Sequence, residues 1–308
     1  MRRKILLFGG LLLLVVLVAL PFLRNPERKT LTDADRVGVS GAFIRLQQGV
    51  VHYEVAGPED GRPVVLIHGF SVPAYLWDGT FETLAAAGFR VLRYDLYGRG
   101  YSDRPPGSYD LTFYEDQLLE LLTALDWQPP VDVVGISLGG VIAAAFTRDH
   151  PEWVRRVVLM DPFTLSRNTG PFVVPVLGEY LTYAALLPML PAMQVADFAD
   201  PARMPPGWLE RYRQQLRYRG LGRALLSTIR HVLRQDAVPV YEAMAVHQRP
   251  VLLIWGEADR TVPFAESELV RRALGDTVEF LPVPNAGHLP HIEQPDLVHP
   301  RLLAFLRR

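Results

Sequence analysis

The sequence predicts an α/β fold, an open and mostly parallel sheet flanked by helices, with a helical block inserted between two strands. Three observations carry that expectation. Short strand-like runs recur at 63–67, 89–94, 131–134, 156–160, 250–255 and 277–281, and the continuous apolar run at 63–67 is of the kind covered on both faces of a parallel sheet. Helical patterns stand between them at 81–87, at 114–125 and directly after Gly140, and a terminal helix is expected around 297–306. The alternation breaks once, over about 162–246. That stretch is rich in proline, aromatics and leucine, has helical runs at 208–217 and 221–233, and carries no strand signal.

Composition sets the outer bounds. A chain of 308 residues, 49% of them hydrophobic, can bury one large core and still carry an insertion. A formal net charge of -1, with no long run of one sign, gives no electrostatic basis for nucleic-acid binding. The absence of cysteine excludes disulfides, thiolate metal sites and a cysteine nucleophile.

The chain opens on Met1-Arg2-Arg3-Lys4, and 5–23 is apolar apart from Gly9, Gly10 and Pro21. About 20 apolar residues suffice to cross a bilayer, and no small-x-small cleavage site follows. The expectation for 1–23 is an uncleaved transmembrane signal anchor, with the globular part on the non-cytoplasmic side. The alternative is signal cleavage and a secreted or periplasmic protein. Residues 24–41 read as a polar linker and 42–308 as the globular domain. Within it, 42–46 and 50–55 alternate around Gln47-Gln48-Gly49 as a hairpin.

The chemistry is concentrated at Val131–Gly140, V-D-V-V-G-I-S-L-G-G, where a strand runs through a tight turn into a helix. A serine at such a turn has a strained backbone, so its neighbours must lack bulk, and Gly135, Gly139 and Gly140 meet that need. The following helix N-terminus favours negative charge developing beside Ser137. A serine hydroxyl is a poor nucleophile and needs a base, with an acid to orient that base. Reactive groups in such sheets collect at the carboxyl ends of strands. Asp259, in W-G-E-A-D-R-T-V-P, follows the strand at 251–255, and His288, in N-A-G-H-L-P-H-I-E-Q-P, follows the strand at 277–281. Asp161, ending the strand at 156–160, and His291, on the loop of His288, are the competing acid and base. His68, His288 and His291 lack metal-ligand spacing, so no metal is expected.

Several landmarks fall in one order: H-G-F at 68–70, D-L-Y-G-R-G-Y-S at 95–102, G-I-S-L-G at 135–139, G-E-A-D at 256–259 and G-H at 287–288. In these the chain, from about Ala42 onward, resembles the α/β-hydrolase-fold enzymes of the esterase and lipase type. The resemblance implies Ser137 as nucleophile, His288 as general base and then acid, Asp259 as its orienter, and an oxyanion hole from the backbone N–H groups of Phe70 and Leu138. Gly287, Glu293 and Pro295 match the family pattern around His288 and favour it over His291, which is expected to pack or lie at the rim. Some relatives draw their acid from the position of Asp161. His68 and Asp95 are expected to brace their turns, and Arg99 and Arg104 to be solvated or loop-bracing.

The implied activity is cofactor-free hydrolysis of carboxylic esters, with the 162–246 block as a lid. Phe163, Phe172, Tyr180, Tyr183, Leu186, Leu187, Met189 and Met193 give that block an apolar surface, which either lines an acyl pocket or packs onto the core. With the expected anchor, it points to lipid-derived esters such as monoacylglycerols, the small-molecule partner expected. C–C bond hydrolysis, acyl transfer and perhydrolysis use the same framework. A non-catalytic binding protein on this fold is the reading from another class. Epoxide hydrolases and haloalkane dehalogenases carry aspartate at the elbow, and Ser137 argues against both. The sequence sets no oligomeric state.

Overall fold

The computed structural model describes residues 10, 15–165, 169–275 and 278–308. Its strands are β1 (Ala42–Leu46), β2 (Gly49–Ala56), β3 (Arg62–Ile67), β4 (Phe89–Tyr94), β5 (Val131–Ile136), β6 (Val154–Met160), β7 (Val251–Gly256) and β8 (Val278–Val283). They form one sheet in the order β1-β2-β4-β3-β5-β6-β7-β8. The hairpin β1–β2 and the pair β2–β4 are antiparallel, and every pair from β4 to β8 is parallel. The fold class expected from the strand rhythm is the one observed.

The apolar runs become central strands because neither face of the sheet is left open. All six residues of β5 and of β7 are buried. Successive side chains alternate between two apolar layers. Val65, Ile67, Val133, Leu159 and Leu253 pack with Leu138, Val141, Ile142 and Phe146 of the helix Leu138–Asp149. Val64, Leu66, Val134, Val158 and Ile254 pack with Val298, Leu302 and Phe305 of the terminal helix Pro295–Arg307. The helix Leu111–Ala124 starts at Asp110, whose carboxylate accepts the Phe113 N–H at 2.9 Å and so satisfies one of the free donors of the first turn.

Between β6 and β7 the described residues are helices and turns, among them Leu187–Ala196, Trp208–Leu216, Leu221–Thr228 and Val238–Ala245. The run expected as one helix over 221–233 turns from α to π geometry after Thr228. Thr228 accepts from the Arg99 guanidinium at 2.9 Å while donating back to Ala224 O, so a side chain from outside intrudes at that point of the ladder.

Two readings change at the N-terminal side. The expected membrane span, and the localisation drawn from it, is corrected: among the described residues no helix is long and apolar enough to cross a membrane. Residues 1–9 and 11–14 of the expected anchor lie outside the described residues, and 15–24 form a helix. Ten helical residues reach about 15 Å, half of the ~30 Å hydrocarbon thickness. The second change is at 24–41, where the linker composition belongs to a strap tied to the body. Arg28 N and Lys29 N donate to Arg217 O at 2.8 and 2.9 Å. The Glu27 carboxylate accepts from Gly220 N at 3.1 Å and Gly222 N at 2.6 Å, and so caps the helix Leu221–Thr228.

The turn after β5 depends on close backbone approach. A Cβ on Gly139 would run into the carbonyl oxygens of Ile67 and His68, and one on Gly135 into Gly139 O. Gly139→Ala is expected to push the helix off β3 and lower stability by about 3 kcal/mol. Urea unfolding checks this, and an unchanged midpoint would show that the approach is not tight.

Candidate active site

Ser137 stands between β5 and the helix Leu138–Asp149 at φ 53°, ψ −120°. That conformation costs a serine about 1–3 kcal/mol and persists only where its surroundings impose it. Here Ser137 N donates to Met160 O at 3.0 Å, and Ser137 O accepts from Gly140 N at 3.0 Å and Phe163 N at 3.1 Å. The residue lines a cavity of about 190 Å³, together with Gly69, Phe70 and His288.

His288 and Asp259 meet on the loops that follow β8 and β7. The His288 Nδ1 lies 2.7 Å from Asp259 Oδ2. Asp259 Oδ1 accepts from Thr261 N at 2.7 Å and Val262 N at 3.0 Å, which fixes the carboxylate. Both side chains are buried. Burial disfavours the imidazolium, but the charge and hydrogen bond of Asp259, aided by Asp197, outweigh it and hold His288 above its ordinary value. His288 N donates to Asp197 O at 2.8 Å, which ties the loop to the helical block.

The loop after β3 is held from behind. The His68 Nδ1 donates to Gly69 O at 2.9 Å, while its Nε2 accepts from Leu96 N at 2.9 Å. Those partners require the neutral ring, and burial pushes His68 down to about 4. Phe70 O accepts from Arg99 Nε at 2.9 Å. A trans peptide sets its N–H antiparallel to its C=O, so engaging Gly69 O also directs the Phe70 N–H. Leu138 is the first residue of its helix, where the N–H has no intrahelical acceptor.

The remaining candidates fall into place around this centre. Asp95 braces its turn by accepting from Ala74 N, Tyr101 N and His52 Nδ1 at 2.8, 2.9 and 2.8 Å. Arg99 is fully buried rather than solvated, and donates to Phe70 O, Tyr97 O, Tyr114 Oη and Thr228 Oγ1. Arg104 donates to Ser102 O and Gly100 O. His291 is buried rather than at the rim, bonded to Leu76 O at 3.1 Å and packed against the Trp77 ring. Asp161, Asp259 and His288 bring one ligand-type atom each within 4.8 Å of one another, the described residues' one grouping with metal-ligand reach. The Asp259–His288 bond already engages two of its three members.

The apolar surface of the helical block does not line this cavity as a whole. Met193 does, whereas Tyr180 and Tyr183 line a separate cavity of about 480 Å³ against residues 17–25. Phe163 and Leu187 are buried in the packing, and Met189 is exposed. Leu190, Gln194, Ala196 and Asp197 line the cavity instead. Sequence reasoning missed them because the hydrophobic residues of Leu187–Ala196 surround the helix and mark no single inner face.

Residues 62–295 match the model of the alpha/beta hydrolase fold family, and the chain belongs to that family. It is similar to the AB hydrolase superfamily protein YfhM of Bacillus subtilis, 27% identical over 298 residues that cover 88% of this chain and 99% of that one. A non-heme chloroperoxidase of Streptomyces lividans is 27% identical over 274 residues, covering 83% and 96%. Among solved structures, a hydrolase from Pseudomonas aeruginosa superimposes with a TM-score of 0.74 at 25% identity, covering 88% of this chain and all (100%) of that one. A hydrolase is the class these likenesses support.

Proposed function

We propose that the chain is a serine hydrolase of carboxylic esters with short acyl groups, and that residues 162–246 form the lid of a domain spanning 42–308. The observation that carries this reading is one cavity lined by both a strained Ser137 and a His288 bonded to Asp259. In this reading Ser137 Oγ attacks the ester carbonyl while His288 takes its proton. His288 then returns the proton to the departing alcohol, leaving an acyl-enzyme. Water activated by the same imidazole hydrolyses it. Asp259 holds the ring and balances the imidazolium charge. The Phe70 and Leu138 N–H groups receive the oxyanion, each worth about 100- to 1000-fold in rate.

The size of the cavity supports the short-acyl reading. About 190 Å³ lies below the ~300–1,000 Å³ of sites for drug-sized ligands, so an acetyl to butyryl group fits better than the long chain of a monoacylglycerol. A series of p-nitrophenyl esters is expected to show kcat/KM highest from acetate to butyrate and at least tenfold lower for laurate. Preference for laurate would overturn the short-acyl assignment. A parent enzyme that takes up a fluorophosphonate yet turns over no ester in the series would favour a binding protein.

A further inference from the structure

Behind the His288–Asp259 pair stands a second carboxyl group with no part in the proposed reaction. Asp161 follows β6 and is wholly buried, with its backbone at φ 40°, a conformation costly for aspartate unless its surroundings impose it. Asp161 N donates to Ile254 O at 2.9 Å, and Asp161 Oδ1 accepts from Gly256 N at 2.8 Å. Its Oδ2 is buried and receives no donor from the described residues. One carboxyl oxygen of Asp161, one of Asp259 and a ring nitrogen of His288 lie within 4.8 Å of one another.

Asp259 and Asp197 act on this imidazole, Asp161 and Glu293 stand close by, and donors are shared among the four carboxyl groups unequally. Asp259 accepts from His288 Nδ1, Thr261 N and Val262 N. Glu293 accepts from Gly287 N at 2.6 Å and Asp200 N at 3.0 Å. Asp197 accepts from Thr261 Oγ1 at 2.6 Å. Asp161 has the Gly256 N–H alone. Two adjacent carboxylates in a dry interior do not both stay ionised, and the proton settles on the one with fewer donors.

We propose that Asp161 is a neutral carboxylic acid that donates its proton to the Asp259 carboxylate, making it a positioning residue for the pair that orients His288. The proposal rests on the reading of His288 as the base. It turns the unpartnered Oδ2 into a hydroxyl donor and so gives this buried atom a partner. Burial and the neighbouring Asp259 charge both push the Asp161 carboxyl well above the usual carboxylate range, in the same direction. Asp259 is then held by donors from His288, from its own loop and from β6. It also surrenders part of its charge to Asp161, which moderates the basicity of His288.

The test compares the pH dependence of kcat/KM for a short ester in the parent, Asp161→Asn and Asp161→Leu. Activity rises with pH as His288 loses its proton, so the acid limb reports that group. The asparagine amide keeps a donor toward Asp259 and an acceptor for Gly256 N–H without charge, and the limb is expected to stay in place. Leucine removes the donor, leaves Asp259 its full charge, and is expected to move the limb up by about one pH unit. A downward shift in Asp161→Asn would show that an anion had been removed, and would overturn the proposal. An unmoved limb in Asp161→Leu would overturn it equally. Should the leucine variant fail to fold, the asparagine variant alone decides the charge state. Proton NMR of the His288 Nδ1 hydrogen, titrated in the same variants, reads the same shifts without turnover. If Ser137→Ala and His288→Gln both retain ester hydrolysis, the reading of the base falls while the NMR titration still decides the charge of Asp161.

Discussion

Ser137→Ala is expected to lower kcat for short esters by about a million-fold and to abolish labelling by a fluorophosphonate probe. The size of the effect follows from the division of labour at the site. Without Oγ there is no acyl-enzyme, and His288 has no proton to take, so its bond to Asp259 at 2.7 Å orients a base without a task. Adding His288→Ala to Ser137→Ala is therefore expected to cost almost nothing more. Asp259→Asn is milder, at about ten-thousand-fold, because it spoils the tautomer and the charge balance of a ring that remains present. A residual rate about a thousand-fold above water is expected in Ser137→Ala and in the double variant from the Phe70 and Leu138 N–H groups. Steady-state kinetics with active-site titration checks the series. Single effects that multiply in the double variant, or equal labelling of parent and Ser137→Ala, would remove Ser137 from the role proposed for it.

The legible parts of this molecule were those where one physical rule acts without competition. The strands β3 to β7 carry apolar runs because both faces of the sheet are covered. The turn at Ser137 was legible because Gly135 and Gly139 lie where any Cβ would strike backbone. The inner surface of the helical block was not legible. Leu187–Ala196 is apolar all round, so its sequence does not tell that Leu190 and Met193 face the cavity while Met189 faces solvent. For Arg99 the sequence left a solvated and a loop-bracing role open, and the fold decides for the second by bringing Phe70, Tyr97, Tyr114 and Thr228 oxygens to its guanidinium. The 24–41 strap is polar because its contacts are hydrogen bonds to the body, a composition that also describes a linker. The apolar residues at 15–23 answer to more than one environment, and composition alone favoured the bilayer.

Two buried histidines are expected to lose their contribution to stability as the pH falls. His68 donates from Nδ1 and accepts at Nε2, so it is held neutral, and burial lowers it to about 4. His291 donates to Leu76 O, and burial lowers it to about 3. In the unfolded chain both rings bind protons near pH 6.5. At these two sites the unfolded chain therefore holds two more protons than the native state from about pH 6.5 down to about 4, and their contribution to stability falls as pH falls through that window. The linkage slope is about 1.4 kcal/mol per pH unit for each proton, or roughly 2.7 for the two. His299, lowered by burial, adds in the same direction over a narrower span. His52 and His288 are held above their ordinary value, so their contribution is complete below pH 6.5 and is lost only as pH rises through their native values. Asp95, held down to about 2, begins to lose its contribution only below its ordinary value of 3.8. Taken alone the two rings would cost roughly 7 kcal/mol across the window. Glu115, raised by burial to about 8, and the buried Asp161 carboxyl hold protons in the native state that the unfolded chain releases over most of it, and so offset a large part of that loss. His291→Phe keeps a ring against Trp77 and removes one titrating group. It is expected to be less stable than the parent at pH 7, having lost the Leu76 bond, and to have a slope between pH 6.5 and 4 that differs from the parent's by about 1.4 kcal/mol per pH unit in the stabilising direction toward acid. Urea unfolding at half-unit steps of pH measures both slopes. Parallel curves for parent and His291→Phe would mean that His291 titrates alike in the folded and unfolded chains, and that its burial does not govern the acid lability.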